Sequence, residues 1–357
     1  MPKPDIAMQF DAKETWDSML ADCASARESI YLEQYIFVDD AVGQKFLTVL
    51  KEKAEQGLDV RVLLDMFGSA QLYLESRRIE EIRSWGVKLE FFNPIALWRL
   101  DNLFRWFSRR DHRKMLLVDE RIAHIGSGGV GEYMNAWHEA CVRLSGVALS
   151  SLAGSFNRLW LAHKPHKLGR KSYNVYLGQG LSYVASTPRV GRRVVHKQLL
   201  KAIKSARTNV VLVSPYFVPT ERLMRSLSKA LLRGVRVEII LPNECDSRVL
   251  DIASHTYTRS LAKRGAQVHL FHSMLHSKYF IVDGRWAMLG SANLDNMSLL
   301  NNYEHEIVGQ NDVLVEELTQ NFEQLKSRAR KLDLHTDGAS LRDRLWGLLV
   351  RPLHRFL

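Results

Sequence analysis

Two stretches of the chain carry the same chemically active side chains at the same spacing. Each reads His-x-Lys, four residues, Asp, and then Gly-Ser seven residues after the Asp. The copies are His112-Arg113-Lys114 with Asp119 and Gly126-Ser127, and His276-Ser277-Lys278 with Asp283 and Gly290-Ser291. One such motif has little specificity, but two copies with the same continuation predict one shared functional site.

These residue types suit the transfer of a phosphoryl group. Imidazole can attack phosphorus, and its ordinary pKa lets it act near neutral pH. A carboxylate can hold the other ring nitrogen in the useful tautomer, and Lys can neutralise phosphate oxygens. Two facing copies would supply one His as nucleophile and a second as the acid that protonates the leaving alcohol. The two Lys would replace a metal ion in neutralising charge, so we expect no metal and no cofactor.

The motifs belong to a duplication that covers most of the chain. Three apolar segments recur about 180 residues later, namely 30–38 at 210–218, 57–64 at 234–241 and 86–92 at 265–271. Gly57 and Gly234 end a helical pattern just before a β-branched segment, which is typical of a helix-to-strand junction. The order strand, helix, strand, helix, strand in each half predicts α/β layers with mostly parallel mixed sheets.

The offset between the halves falls from about 180 to 164 residues at the motif, because the first half carries an insertion. This insertion is rich in Arg and aromatic residues, and Leu97, Leu100, Phe104 and Phe107 recur at helical spacing. We predict a first half at 1–165 with the insertion near 93–111, a second half at 166–330, and a basic amphipathic tail at 331–357.

Positive charge is concentrated in one part of the chain. The formal net charge is +11, and thirteen Lys or Arg but no Asp or Glu lie between Glu139 and Glu221. Such a stretch indicates an anionic partner. Aromatic and Leu side chains opposite Arg, as in the insertion and the tail, are typical of helices that lie in anionic lipid headgroups.

The sequence indicates neither a disulfide-rich or zinc-binding protein nor a protein that spans a membrane. Three cysteines, Cys23, Cys141 and Cys245, are too few and too scattered for a disulfide framework or a zinc cluster. No window approaches the ~18 apolar residues of a membrane-spanning helix. We expect a protein that lies on a membrane without crossing it.

The duplicated motif resembles the signature of the phospholipase D superfamily, and the layout is most similar to bacterial cardiolipin synthases of the B type. The likeness extends over nearly the whole chain and includes Asp40 with Gly43 and Phe46, the run 92–94, the run 214–219 and Asn302-Tyr303-Glu304. The resemblance implies two phospholipase D-like α/β/α halves related by a pseudo-two-fold axis, with the site at their interface.

The resemblance also implies roles for individual residues through a phosphohistidine intermediate. His112 would be the nucleophile and His276 the general acid and then base, or the reverse. Lys114, Lys278 and Asn293 would bind phosphate, with Ser127 and Ser291 beside them. Asp119 and Asp283 would support the site from behind, and Glu139 and Glu304 would orient the His residues.

One position departs from the family pattern. The second half reads Gly290-Ser291-Ala292-Asn293, whereas Gly129 stands in the first half where Asn is expected. The first copy therefore lacks one phosphate-contacting amide, for which a backbone N–H or a bound water could substitute; the alternative is weak activity or an altered choice of acceptor. His, Lys and Asp are intact in both copies.

We therefore expect a cardiolipin synthase that converts two phosphatidylglycerol molecules into cardiolipin and glycerol. The expected partners are anionic phospholipids and the cytoplasmic side of the cell membrane, with no obligatory protein partner and no nucleic acid. One alternative is a phospholipase D or nuclease-type phosphodiesterase that hydrolyses its substrate. Another is a non-catalytic protein that binds anionic lipid.

Overall fold

The computed structural model describes residues 3–94, 109–162, 172–188, 193–245 and 247–334. Within them the chain forms two large mixed sheets, flanked by helices, and a short two-stranded sheet. Most of the insertion (95–108), most of the tail (335–357), the predicted boundary after residue 165, and Arg170, Lys171, Arg189 and Arg192 lie outside the described residues.

The first half builds a seven-stranded sheet in the order β1-β7-β6-β5-β2-β3-β4. Its strands are β1 (Asp5–Asp11), β2 (Ser29–Gln34), β3 (Asp59–Asp65), β4 (Lys88–Phe92), β5 (Met115–Val118), β6 (Ile122–Gly126) and β7 (His138–Ser145). Its helices are α1 (Ala12–Ser25), α2 (Ala41–Glu55), α3 (Ala70–Leu74), α4 (Ser76–Ser84) and α5 (Ser150–Ala162), with a 3-10 turn at Glu132–Met134.

The second half builds a nine-stranded sheet in the order β18-β13-β12-β10-β14-β15-β17-β9-β8. Its strands are β8 (Tyr173–Gly178), β9 (Leu181–Ser186), β10 (Asn209–Val213), β12 (Arg236–Pro242), β13 (Gln267–Phe271), β14 (Tyr279–Val282), β15 (Trp286–Gly290), β17 (Glu304–Gly309) and β18 (Arg330–Lys331). Its helices are α6 (Val194–Ser205), α7 (Glu221–Leu232), α8 (Arg248–Ala262) and α9 (Asp312–Arg328), with a π-helical turn at Met297–Asn301. The short sheet pairs β11 (Phe217–Val218) with β16 (Leu294–Asp295).

The strand orders confirm the two-halved α/β fold. The seven strands of the first sheet, taken from β4 to β1, correspond in order to the seven strands from β13 to β9 in the second sheet. The second sheet has one additional edge strand on each side, β18 and β8. The sequence pairs taken as repeats occupy β2 and β10, β3 and β12, and β4 and β13.

The predicted predominance of parallel strands is wrong. Parallel pairing joins β2, β3 and β4 in the first sheet and β10, β12 and β13 in the second, and the remaining pairs in both sheets are antiparallel. The prediction rested on the first three strands of each half, which helices connect. The motif strand and its successor instead form a tight hairpin, and such connections require antiparallel neighbours.

Several helices begin at a residue whose side chain caps the first turn. Asp11 accepts from the Glu14 amide at the start of α1, and Asp40 accepts from the Val42 and Gly43 amides at the start of α2. Thr220 caps α7 in the same way. Such caps satisfy backbone donors that have no partner inside the helix.

The inner faces of both sheets share one core with α5 and α9. Phe156 of α5 and Phe322 of α9 pack in the same buried cluster as Tyr31, Tyr183 and Tyr279 from strands of both sheets. Separate clusters lie under the outer helices of each half. The shared core fixes the two halves against each other, and this holds the paired motifs in register.

Candidate active site

The two motifs meet where the halves join. The backbone amide of His112 donates to the Tyr303 carbonyl at 3.1 Å, and the amide of Tyr303 donates to the Arg110 carbonyl at 2.9 Å. On the symmetric side, the His276 amide donates to the His138 carbonyl at 2.8 Å. Each motif His is therefore held by a backbone bridge to the opposite half.

The His-x-Lys segments are the extended lead-ins to β5 and β14. Each Lys side chain turns back to its own motif, so that Lys114 Nζ donates to the His112 carbonyl at 2.7 Å and Lys278 Nζ to the His276 carbonyl at 2.8 Å. All four side chains are buried. The expectation that His and Lys of each copy lie together agrees with this geometry.

Each His is oriented by a carboxylate from the other half. His112 Nδ1 lies 3.0 Å from Glu304 Oε1, and His276 Nδ1 lies 2.8 Å from Glu139 Oε1. The structure thus brings both predicted carboxylates to the histidines. The crossing between halves was not visible in the sequence, because spacing along the chain does not say which copy a side chain reaches.

The two serines of the Gly-Ser pairs bind these carboxylates. Ser291 Oγ donates to Glu304 Oε2 at 2.5 Å, and Ser127 Oγ donates to Glu139 Oε2. Ser291 Oγ also accepts the backbone amide of His305, and Ser127 Oγ accepts that of Ala140. The serines therefore hold the carboxylates in place, and in this arrangement they are not directed at a substrate.

Burial and neighbouring cations set the protonation of the site. Burial, then Lys114 and Lys278, hold the pKa of His112 well below its usual value. Burial and Lys278 lower the pKa of Lys114 to about 7. A neutral His112 has an unprotonated ring nitrogen, which is the state required of a nucleophile.

The two carboxylates differ in charge. Burial raises the pKa of Glu304 to about 7 in spite of Lys114 and the Ser291 hydrogen bond. Burial also acts to raise the pKa of Glu139, but His276 and Lys278 outweigh it and keep that pKa below its usual value. His276 accordingly faces a full carboxylate, while the partner of His112 is partly protonated near neutral pH.

A second asymmetry lies at the outer nitrogen of His276. Lys278 Nζ is 2.9 Å from His276 Nε2, which is the ring atom not engaged by Glu139. A phosphate that approaches this nitrogen would meet the Lys278 ammonium at the same point.

Asp119 and Asp283, expected to support the site from behind, do not contact the histidines and have no catalytic contact in this arrangement. Each follows its motif strand, at the end remote from the His, with positive φ. Asp119 accepts the backbone amides of Arg27, Glu28 and Ser29 at 2.8–2.9 Å. Asp283 accepts those of the corresponding residues 207–209 at 2.8–3.1 Å. Both therefore fix the start of the neighbouring strand.

The Asn and Gly of the Gly-Ser segments have different surroundings. Asn293 is buried, hydrogen-bonds Asp295, and has no hydrogen-bond partner for its amide oxygen. Gly129 has no side chain that could contact a phosphate, and its backbone carbonyl accepts a hydrogen bond from Trp16 Nε1 at 2.9 Å. A Cβ at Gly129 would lie 3.1 Å from Ile36 and 3.2 Å from Met134, so larger side chains are crowded out.

Sequence reasoning missed two aromatic side chains in this site. The Tyr35 ring contacts His112 edge-on at a centroid distance of 4.8 Å, and the Trp137 ring lies 5.0 Å from His276. Tyr35 follows the first strand of the duplication, and Trp137 precedes Glu139 by two residues. These positions next to predicted elements could have indicated that both rings belong to the site.

Three further buried charged groups flank the histidines. Arg110, two residues before His112, binds Asp65 at 2.6 Å, and Arg113 binds Glu33. Glu306, two residues after Glu304, accepts the Ala292 amide at 2.8 Å. Charged residues inside an apolar strand pattern were the signal that could have pointed to Glu33 and Glu306.

The described residues include neither a bilayer-spanning helix nor a metal-binding cluster. None of their helices is both long and apolar enough to cross a bilayer. No group of three or more His, Cys, Asp or Glu among them is arranged to hold a metal ion.

Comparison with known proteins gives a family match. A family model described as "Cardiolipin synthase, PLD-like domain" matches residues 19–160 and 199–326. A cardiolipin synthase of Clostridium perfringens is 28% identical over 336 residues, which cover 89% of this chain and 69% of that protein. One of Geobacillus kaustophilus is 32% identical over 312 residues, 84% of this chain and 61% of its own length.

Solved structures match at the level of the fold. A phosphatidylserine synthase of Haemophilus influenzae superposes with a TM-score of 0.74 at 15% identity and covers 99% of this chain and 95% of that one. A polyphosphate kinase of Porphyromonas gingivalis has a TM-score of 0.62, also at 15% identity, over 99% of this chain and 54% of its own.

Proposed function

Because the chain belongs to the phospholipase D-like family of cardiolipin synthases, we propose that it transfers a phosphatidyl group from one phosphatidylglycerol to another. The products are cardiolipin and glycerol. The observation that carries this proposal is the pair of buried histidines, each oriented at Nδ1 by a glutamate from the opposite half.

The first step uses the two histidines on opposite sides of one phosphate. His112 Nε2 attacks phosphorus, and a P–N bond forms as the P–O bond to glycerol breaks. The electron pair goes to the glycerol oxygen, which takes a proton from His276. Lys114 and Lys278 stabilise the charge on the non-bridging oxygens, and the incoming phosphate displaces Lys278 from His276 Nε2.

The second step reverses these roles. A hydroxyl of the second phosphatidylglycerol loses its proton to His276 and attacks phosphorus, a new P–O bond forms, and the P–N bond to His112 breaks. Net proton change is zero over the two steps. The enzyme therefore needs an acceptor alcohol in place of water, and this distinguishes transfer from hydrolysis.

The charge asymmetry supports His112 as the nucleophile. Its pKa is held well below the usual range, so that it is neutral near pH 7. Burial lowers the pKa of His276 as well, but the ionised Glu139 acts to raise it and stabilises the protonated imidazole that a general acid needs.

Trapping of the intermediate tests this assignment. The chain is mixed with phosphatidylglycerol, quenched in alkali, where phosphohistidine persists, and digested for mass spectrometry. We expect a phosphatidyl adduct on the His112 peptide of the unsubstituted chain and none in His112→Ala. An adduct on His276 alone would reverse the roles.

We place the site at a bilayer surface, because both substrates are lipids and the net charge is +11. Vesicle co-sedimentation tests this placement. We expect binding to phosphatidylglycerol vesicles that exceeds binding to phosphatidylcholine vesicles and that weakens with salt. Deletion of residues 335–357 should reduce vesicle binding while turnover of a short-chain, soluble phosphatidylglycerol is retained. Equal binding to both vesicle types would contradict the placement.

A further inference from the structure

A second charged cavity lies away from the histidines, at the remote end of the motif strand of the second half. It has a volume of about 360 Å³ and is lined by Lys201 and Arg207 from the end of α6 and by Arg285 and Trp286 beside the turn between β14 and β15. Asp283, five residues beyond Lys278, also lines it. Five extended residues span about 17 Å, so this cavity is separate from the candidate active site.

The three cations of this cavity form no ion pair with any described carboxylate, and their side chains are exposed. The Gln198 side chain also lines the cavity and can add an amide donor. Cations that converge on one volume without a counter-charge repel one another, and an anion in that volume removes the repulsion.

The one carboxylate in the lining is already engaged. Asp283 accepts the backbone amides of Arg207, Thr208 and Asn209 and the Thr208 hydroxyl, all within 3.1 Å. Its hydrogen-bonding capacity is thus directed at the backbone, away from the cations. Three cations and one carboxylate leave the lining with a net charge of +2.

The first half shows the same surface with its charge balanced. Residues 21–29 read ADCASARES where residues 201–209 read KAIKSARTN, so that Ala21 replaces Lys201, Asp22 replaces Ala202 and Glu28 replaces Thr208. Arg121, the counterpart of Arg285, lies 3.8 Å from Glu28. Asp22 pairs with Arg143 at 2.7 Å. Both copies therefore carry the arginines, but only the first carries an acidic residue that pairs with one of them.

We propose that the cavity lined by Lys201, Arg207 and Arg285 is a second anion site that binds one phosphate group. Guanidinium groups match the geometry of phosphate oxygens in bidentate hydrogen bonds, and Lys adds a compact charge. The Trp286 ring forms an apolar wall that can contact the organic part of a phosphate ester. The volume, near the lower limit of small-molecule sites, fits a phosphate with a small substituent.

The test follows Trp286 directly. The chain contains eight Trp, so it is labelled with 5-fluorotryptophan and the ¹⁹F resonance of Trp286 is assigned with Trp286→Phe. Titration with inorganic phosphate should shift this resonance to saturation. In Arg207→Gln/Arg285→Gln, the concentration at half-saturation should rise at least about tenfold.

The duplication supplies the matched control. Arg27→Gln/Arg121→Gln removes the corresponding arginines of the first half and should leave the titration unchanged. Thr208→Glu introduces the carboxylate that the first half carries and should weaken binding as much as the double variant does. Thermal unfolding of each variant verifies that it is folded. A Trp286 resonance that responds neither to phosphate nor to phosphatidylglycerol vesicles, or equal effects of the two arginine pairs, would overturn the proposal.

The source of the phosphate is resolved by a lipid arm of the same experiment. A shift with free phosphate identifies a soluble ligand. A shift with phosphatidylglycerol vesicles but not with free phosphate or phosphatidylcholine vesicles identifies a lipid headgroup. Either result supports a phosphate site, and the absence of both overturns it. His112→Ala/His276→Ala should give the same Trp286 shift, so this test does not depend on the proposed reaction.

Discussion

At the residue scale, the two His–Glu pairs are symmetric in geometry and unequal in charge. Both contacts are near 3 Å and both cross between halves. Only the Glu139 carboxylate is held in its ionised form by its surroundings. Two chemically identical residues can therefore take the roles of nucleophile and acid because of what surrounds them.

Glu139→Gln should lower the transfer rate by about 10²–10⁴-fold. The Glu139 charge raises the pKa of His276 against burial, so its loss lowers that pKa. His276 then loses its proton at a lower pH, so the alkaline limb of the pH–rate profile moves to lower pH. The measurement is kcat/KM against pH.

Glu304→Gln is the matched control for this change. Since Glu304 is already partly protonated near pH 7, its replacement should move the alkaline limb less than Glu139→Gln does. A larger displacement in Glu304→Gln would assign the acid role to His112.

The missing Asn of the first half gives a second prediction at this scale. Gly129→Asn should not raise turnover, and it should lower the free energy of unfolding by about 1–3 kcal/mol, because Ile36 and Met134 crowd the added atoms. Asn293→Gly should lower turnover by about 10²-fold through loss of a phosphate donor. Denaturant unfolding and kcat are measured on both variants, and a more active, equally stable Gly129→Asn would refute the explanation.

At the element scale, the motif Asp residues join strands. Asp119 ties the end of β5 to the start of β2, and Asp283 ties β14 to β10. A residue can therefore recur in both copies of a duplicated motif because it stabilises the fold, even when its neighbours in the motif recur because they act in catalysis. The sequence alone could not separate these two reasons.

Asp119→Ala should therefore destabilise the fold by about 1–3 kcal/mol through unsatisfied backbone amides, while the folded protein keeps most of its turnover. Its hydrogen bonds hold the pKa of Asp119 below the usual value against the effect of burial. This stabilisation is then full above the unfolded pKa of about 3.9 and is lost as pH falls through the folded pKa. Urea unfolding measures the change in stability. An Asp119→Ala variant that is as stable as the unsubstituted chain but loses as much turnover as Lys114→Ala would contradict this prediction.

Much of the fold was predictable from the same local patterns. The repeats at 30–38 and 210–218, and the Gly residues before β3 and β12, predicted the duplicated α/β order. The hairpin pairing of β5 with β6 was not predicted, because apolar runs do not reveal strand direction. The crossing of Glu139 and Glu304 was not predicted either, since it depends on how the halves pack.

At the scale of the whole molecule, the duplication lets one chain build a site that neither half contains alone. Each His has its motif Lys in one half and its glutamate in the other. The two histidines nevertheless have carboxylate partners of unequal charge, and divergence between the halves leaves one surface basic. At the remote cavity the difference between the halves comes from a few positions whose charge changed in one copy.

The most direct test of the account is analysis of the lipid products. The purified chain is incubated with phosphatidylglycerol vesicles and a chelator, beside His112→Ala and His276→Ala. We predict cardiolipin and glycerol in equal amounts from the unsubstituted chain, and loss of both in each variant. Phosphatidic acid in place of cardiolipin, or no product from phosphatidylglycerol, would contradict the proposed transfer.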